Sequence, residues 1–322
     1  MPHAILEHLA QLQPPYREHV WSAWLVRPVA SGNNRLFRVT RDVDDWAVKF
    51  TIRDDRDRAR REFNALTLLD RTGPGLAPRP VHLELDRYDL SVVVQNWIDG
   101  TPLWSPPADD ATWLQILRAY RRLHSLPSPD GAPWGAAHGP LLIPTTPEEI
   151  VSGTQAFAEQ IPPTGQSARL SELLQTLRGL KWLELPETRC WAHGDTNIRN
   201  LILTPDGIKL VDWEYSGVTD PAHEIAKLMS HSNSASAGEP RWAWVAAQYA
   251  SMSDEPDMLT RIRLFYALRL AGWCVRLLFG RHVLLQQPSL RLVGHAPEAE
   301  MSTPENIDLY FDRARSQLAR WS

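Results

Sequence analysis

The stretch from Cys190 to Gly217, CWAHGDTNIRNLILTPDGIKLVDWEYSG, constrains the chain most. Leu201-Ile202-Leu203 is a short apolar run, and Ile208 to Val211 is a second. Between them Thr204-Pro205-Asp206-Gly207 reads as a turn, because proline presets one backbone angle and glycine accepts a positive φ. Two such runs joined by such a turn predict a β-hairpin. Asn200 stands just before the outgoing strand and Asp212 just after the returning one. Paired strands lie about 4.8 Å apart, so these side chains are expected side by side at the open end. Asp195, five positions before Asn200, lies on the loop feeding that end. Two carboxylates and an amide oxygen then face one point.

Crowded carboxylates are costly without a cation between them. The set suits Mg2+, which takes oxygen ligands, keeps several waters and needs few carboxylates when substrate phosphates are present. Taken singly, Asp195 and Asn200 are equally well read as loop residues bonding their own backbone. That reading explains the whole constellation poorly.

His193-Gly194-Asp195, then Asn200, then Asp212-Trp213-Glu214 resemble the catalytic signature of the aminoglycoside phosphotransferase and choline kinase superfamily. The kinase pattern has a catalytic-loop Asp, an Asn five residues later and a metal-binding Asp beyond a hairpin. The resemblance implies an α+β, bilobal, protein-kinase-like fold. Its N-lobe is an antiparallel sheet with one main helix, and its larger C-lobe is mainly helical with the catalytic hairpin. Residues 1–98 would form the nucleotide-binding lobe and 99–322 the catalytic and acceptor-binding lobe. The resemblance further implies that Asp195 orients or deprotonates an attacking hydroxyl, and that Asn200 and Asp212 hold Mg2+ on ATP. His193 would brace the loop.

Residues 3 to 12 read as a helix stopped by Pro14-Pro15. Trp21 to Val29, Leu36 to Thr40 and Trp46 to Thr51 read as strands of a β-meander. The bend Ser31-Gly32-Asn33-Asn34-Arg35 could be a plain hairpin turn, or its amides could form a nest for phosphate. The resemblance supports the second reading and places Ser31, Asn33 and Asn34 over the nucleotide. Lys49 in a strand would ordinarily point to solvent. In order with the other motifs it matches the lysine that pairs the α and β phosphates. Asp54 to Leu69 reads as a helix with a charged first half and an apolar second half; Glu62 lies at the junction. Glu62 is expected to pair with Lys49. The alternative is a surface pair with Arg58 one turn away, worth roughly a few tenths of a kcal/mol. Val81 to Leu85 and Leu90 to Gln95 read as further strands. Gln95 to Gly100 would be the hinge where backbone groups bond adenine in the resembling family, which places Gln95 and Trp97 at the nucleotide.

Thr101 to Ala108 is proline-rich and reads as a linker. Helices are expected over Ala111 to Leu126, Glu148 to Ile161 and Ala168 to Glu184, with a long loop over 127–147. His124 ends the first of them as a capping or packing group outside the site. Asp220 caps a helix with Pro221 at its first position, residues 231–240 form a loop, and helical segments follow near 241–252, 256–280 and Pro304 to Trp321. The stretch 286–304 reads as irregular.

The acceptor is expected to be a small cation. Glu214, Tyr215, Trp242, Trp244, Tyr249, Tyr266 and Trp273 offer aromatic faces and a carboxylate that would attract one, although aromatics at helical spacing are most often core. Asp212 to Gly217 resembles choline-kinase-type relatives and His193 to Asp195 resembles the antibiotic phosphotransferases, so a choline, ethanolamine or thiamine kinase is the alternative. A non-catalytic nucleotide-binding scaffold on the same fold is a further one. A protein kinase is disfavoured, since Trp213-Glu214 replaces Phe-Gly after Asp212. A net charge of −4 gives no sign of nucleic-acid binding. Two cysteines, no signal-peptide core and no apolar run near the roughly 18 residues that span a bilayer point to a cytoplasmic protein with no membrane or obligate protein partner.

Overall fold

Alternating apolar residues build the first half of the chain. In the computed structural model, which describes residues 3–30, 34–127, 141–142, 144, 146–180, 188–285 and 301–321, six strands form one antiparallel sheet. They are β1 (His19–Trp21), β2 (Trp24–Val29), β3 (Arg35–Arg41), β4 (Asp44–Thr51), β5 (Pro80–Glu84) and β6 (Ser91–Asn96), in the order β1-β2-β3-β4-β6-β5. Val26, Phe37, Val39, Val48, Phe50, Val92 and Val94 cover one face and pack on Ile5, Leu6 and Leu9 of α1 (His3–Gln11). Period-two alternation then sends Lys49, between Val48 and Phe50, to the other face, where it is paired across the ladder with Val93.

That other face is covered by α2 (Arg58–Thr72). Its buried positions include Ala59, Glu62, Ala65, Leu66 and Leu69, a helical spacing that puts Glu62 in the middle of the apolar stripe. The helix begins four residues later than its charge pattern predicts. The Asp54 carboxylate accepts from the Arg56 amide at 3.2 Å and from the Arg58 guanidinium at 3.0 Å, which holds the preceding segment as a turn.

The expected single strand over Trp21 to Val29 is two strands. The chain reverses at Ser22 and Ala23, with φ of 46° and 67°, and β1 pairs antiparallel with β2. Two left-handed residues are the standard geometry of a two-residue hairpin turn, but Ser-Ala carries none of the Gly, Asn or Asp that usually announces one.

The second half is helical, with α3 (Asp110–His124), α4 (Pro147–Ala158), α5 (Ala168–Gly179), α6 (Pro221–Ser230), α7 (Gly238–Ser251), α8 (Met258–Phe279) and α9 (Pro304–Leu318). The axis is α8, which buries Leu264, Leu268, Leu270, Ala271, Val275 and Leu277 on several sides, as a helix surrounded by others must. Among the described residues no helix is long and apolar enough to cross a membrane. The α5 helix ends at Gly179 rather than Glu184; 181–187, most of the 127–147 loop and 286–300 lie outside the described residues. Residues 232–237 form a short 3-10 turn within the expected loop.

The hairpin is β10 (Leu201–Thr204) and β11 (Gly207–Leu210), in the register Leu201 to Leu210 and Thr204 to Gly207. The proline-rich linker starts as a strand: β7 (Thr101–Pro102) pairs with β10. Just before it, Gly100 lies against the hairpin so closely that a Cβ would sit 2.6 Å from the Leu203 carbonyl oxygen. Gly100→Ala should therefore push the hairpin aside and cost about 1–3 kcal/mol. The measurement is a urea unfolding curve, with a lower midpoint at unchanged slope expected.

Candidate active site

The strand β9 (Cys190–Ala192), which follows the short β8 (Leu141–Leu142) in chain order, runs into the loop that carries Asp195. His193 is buried, donates from Nε2 to the Val211 carbonyl at 2.9 Å and stands edge-on to Trp213 at 4.6 Å. Gly194 takes the left-handed region at φ 79°. Its N–H donates to Glu224 Oε1 at 2.7 Å, and its carbonyl accepts from Lys227 Nζ at 2.6 Å. One turn of α6 thus grips both backbone polar groups of the glycine before Asp195.

The Asp195 carboxylate is fixed at both oxygens. Oδ1 accepts from the Asn197 amide at 3.2 Å, and Oδ2 from Asn200 Nδ2 at 3.0 Å. The Asn200 carbonyl accepts from the Val211 amide at 3.0 Å, which continues the hairpin pairing to its open end. Asn200 and Asp212 therefore flank that end, as hairpin geometry requires. Asp212 adopts φ 68°, left-handed backbone that costs a non-glycine residue roughly 1 kcal/mol.

Facing the hairpin end is a buried charge cluster. Lys49 Nζ donates to Glu62 Oε2 at 2.8 Å, to Asp212 Oδ1, and to Glu214 Oε2 at 3.4 Å. Glu214 also accepts from Arg58 Nη1 at 3.2 Å. Glu62 pairs with Lys49 rather than with Arg58, which turns to Asp54 and Glu214. Burial pushes the Glu62 and Glu214 carboxyls up to about 7, against the pull of the lysine. Glu214, expected at the acceptor, lines the cleft and through Lys49 and Arg58 ties the hairpin end to the sheet and α2.

These groups share one cleft of about 880 Å3. At one end are Asn34, Leu36, Ala47, Gln95, Trp97 and Ile98; in the middle Lys49, Glu62, Asp195, Asn200 and Asp212. Asn34, Gln95 and Trp97 thus reach the cleft wall, while Ser31 and Asn33 lie outside the described residues. The indole of Trp97 carries the Arg38 guanidinium 4.8 Å from its ring centre, and its amide bonds the Asp45 carbonyl at 2.9 Å.

The aromatic acceptor wall expected from the sequence is largely core. Trp242 stands edge-on to Trp113 at 5.5 Å, Tyr266 donates to Glu239 at 2.7 Å, and Tyr249 bonds His124. Tyr215 and Trp273 alone of that set line the cleft. Beside Trp273 stand Lys227, Arg269 and Arg276, a positive wall where a site for a cation had been expected. Sequence reading also missed the support of the loop. His124 Nε2 meets Glu224 Oε2 at 2.7 Å, making a buried chain from Tyr249 through His124 and Glu224 to the Gly194 amide. Glu224 follows the Asp220-Pro221 cap by one turn, and that spacing was its only sequence signal.

A sheet-bearing lobe, a helical lobe and a cleft between their charged walls define a bilobal, protein-kinase-like fold. Solved structures share it. An aminoglycoside-phosphotransferase-assigned protein from Ralstonia eutropha superposes with a TM-score of 0.68 at 13% identity, over 98% of each chain. A spectinomycin phosphotransferase, solved with ADP and spectinomycin, gives 0.59 at 15% over 98% of each chain. The choline kinase of Streptococcus pneumoniae gives 0.56 at 16% over 99% of each. No curated protein matches the sequence. The model of the phosphotransferase enzyme family matches residues 25–265, and the chain belongs to that family.

The charge cluster makes a pH-dependent prediction. A Glu62 raised from 4.5 to about 7 holds a proton that the unfolded chain has released. The stability from that proton is complete below pH 4.5 and is lost as pH rises through 7. Lys49→Met removes the cation opposing the shift and leaves the carboxylate buried. It should cost about 3–5 kcal/mol at pH 8 and distinctly less at pH 5.5. Denaturant melts of variant and parent at both pH values test this; an equal loss at the two would contradict it.

Proposed function

We propose that this phosphotransferase is a small-molecule kinase that moves the γ-phosphoryl group of ATP to a hydroxyl. One observation carries the reading: Asp195, Asn200, Asp212 and the Lys49–Glu62 pair line a single cleft. Phosphoryl transfer through a loose transition state asks the protein mainly for positioning and charge neutralisation. Each group supplies part of that. The apolar end near Ala47 and Ile98 takes the base, beside the hinge at Gln95 to Trp97. Lys49, oriented by Glu62, pairs the phosphates.

Asp195 is the catalytic base or orienting group. Its carboxylate is held by the Asn197 and Asn200 donors, so it meets the acceptor hydroxyl in one fixed pose. The donor set fits a hard cation. Asn200 spends its amide nitrogen on Asp195, which leaves its carbonyl oxygen for a metal, and Asp212 is partly exposed on the same wall. Glu62 and Glu214 oxygens also lie within 4.8 Å of an Asp212 oxygen. Both are engaged by Lys49, and Glu214 also by Arg58, so Asn200 and Asp212 are the residues that would hold Mg2+. A cation held by these two residues would neutralise charge on the phosphates.

Replacing Asp195 by Asn keeps the shape and removes the base. The kcat of acceptor-dependent ADP release should fall about 10²–10⁴-fold, and Asp212→Ala should lose Mg2+-dependent turnover, both with unchanged far-UV circular dichroism. A coupled ADP-release assay with ATP and Mg2+ decides this. Parent-like rates in both variants would rule the mechanism out.

A further inference from the structure

Beyond Asp195 the cleft is walled by α6 and α8. Lys227 comes from α6; Arg269, Trp273 and Arg276 come from α8, at a spacing of four and then three that places them on one helical face. His231 closes the group, edge-on to Trp273 at 5.5 Å. Among the described residues, the charge on this wall with the least compensation is that of Arg269. Arg269 has no hydrogen bond or carboxylate partner among the described residues, and its Nε is buried without an acceptor. Lys227 donates to a neutral carbonyl, that of Gly194. Arg276 is exposed and engaged, and lies 5.9 Å from the ring centres of Trp273 and Phe157.

The cations also act on one another. Burial first, and then the charge of Arg269, pull the Lys227 ammonium down to about 8, against the pull of Glu224 and Asp195. Burial and the charge of Arg276 lower Arg269 as well. His231 is pushed down to about 4 by burial, against the pull of Asp195, so it is neutral at pH 7 and adds no further charge. Like charges crowded on a low-dielectric wall repel, and an anion placed among them removes that cost. A cationic acceptor would instead add to it.

We propose that the acceptor is a small hydroxylated anion, a carboxylate or a phosphate monoester, whose charged group is bound by Arg269 with Lys227 while its hydroxyl meets Asp195. A guanidinium fork matches either oxyanion in bidentate fashion. This rests on the kinase reading above. The acceptor oxygen forms its bond to the γ-phosphorus as the bond to the bridging oxygen breaks. ADP leaves with that oxygen, and the hydroxyl proton passes to Asp195.

Matched acceptor pairs test the idea in the ADP-release assay. Gluconate and glycerate are set against their amides, glucose 6-phosphate and glycerol 3-phosphate against glucose and glycerol, with choline and kanamycin as cations. At least a tenfold preference in kcat/KM for an anionic member is expected, and the favoured arm tells carboxylate from phosphate. Arg269→Met should raise the KM for that acceptor at least tenfold, leave the KM for ATP unchanged, and be partly rescued by Arg269→Lys. A preference for neutral or cationic members overturns the proposal, and so does a Arg269→Met variant that weakens ATP instead of the acceptor. If nothing in the panel is phosphorylated, the kinase reading fails for these compounds and binding decides the anion site separately. With saturating Mg2+ and ADP, gluconate or glucose 6-phosphate should raise the Tm of the parent and not of Arg269→Met. No anion-dependent rise overturns the proposal.

Discussion

Everything in the cleft hangs on the buried ammonium of Lys49. It stands on the sheet, accepts the company of Glu62 from α2, and reaches Asp212 and Glu214 at the end of the hairpin. Among the described residues no other group joins all of these elements. Burying so many charges is expensive unless each has a partner, and here Arg58 supplies the second cation. The raised carboxyls of Glu62 and Glu214 are the remainder of that imbalance. The same imbalance makes the cluster responsive: phosphates and a divalent ion entering beside Lys49 and Asp212 change which charges need each other.

A second framework lies under the catalytic loop and involves no ligand at all. Tyr249, His124 and Glu224 form a fully buried hydrogen-bonded line that ends on the Gly194 amide. Burial would raise Glu224, but its bonds to His124 and to Gly194 hold it below the ordinary carboxylate value. It therefore stays ionised inside the core and fixes the loop through a charge-assisted bond. Lys227 on the next turn touches both this framework and the positive wall, so the loop and the acceptor end of the cleft share one helix.

Much of this was legible in the sequence, and the parts that were not have physical reasons. The hairpin could be read because Pro205, Asp206 and Gly207 state the turn locally and the strand period states the rest. Lys49 and Glu62 could be read because alternation and helical spacing assign each a face. The reversal at Ser22 and Ala23 could not, since neither residue type announces a left-handed turn. Nor could the positive wall. Arg269 and Arg276 sit in a helix among Leu and Val, where arginines ordinarily snorkel to solvent. Only the packing of α8 against α6 brings them beside Lys227 and Asp195. The aromatic residues misled for the converse reason: their chemistry suits a cation, but Trp242, Tyr249 and Tyr266 are consumed by the core.

The backbone at Asp212 carries a consequence for how this site can vary. Its φ of 68° admits glycine freely and, among residues with side chains, favours asparagine and aspartate. Its position opposite Lys49 asks for a negative charge. Aspartate alone meets both demands. A drift to asparagine keeps the conformation and loses the charge, and a drift to glutamate keeps the charge and strains the chain. Descendants of this sequence can therefore rework the acceptor wall one residue at a time, while position 212 has no neighbouring solution to move to.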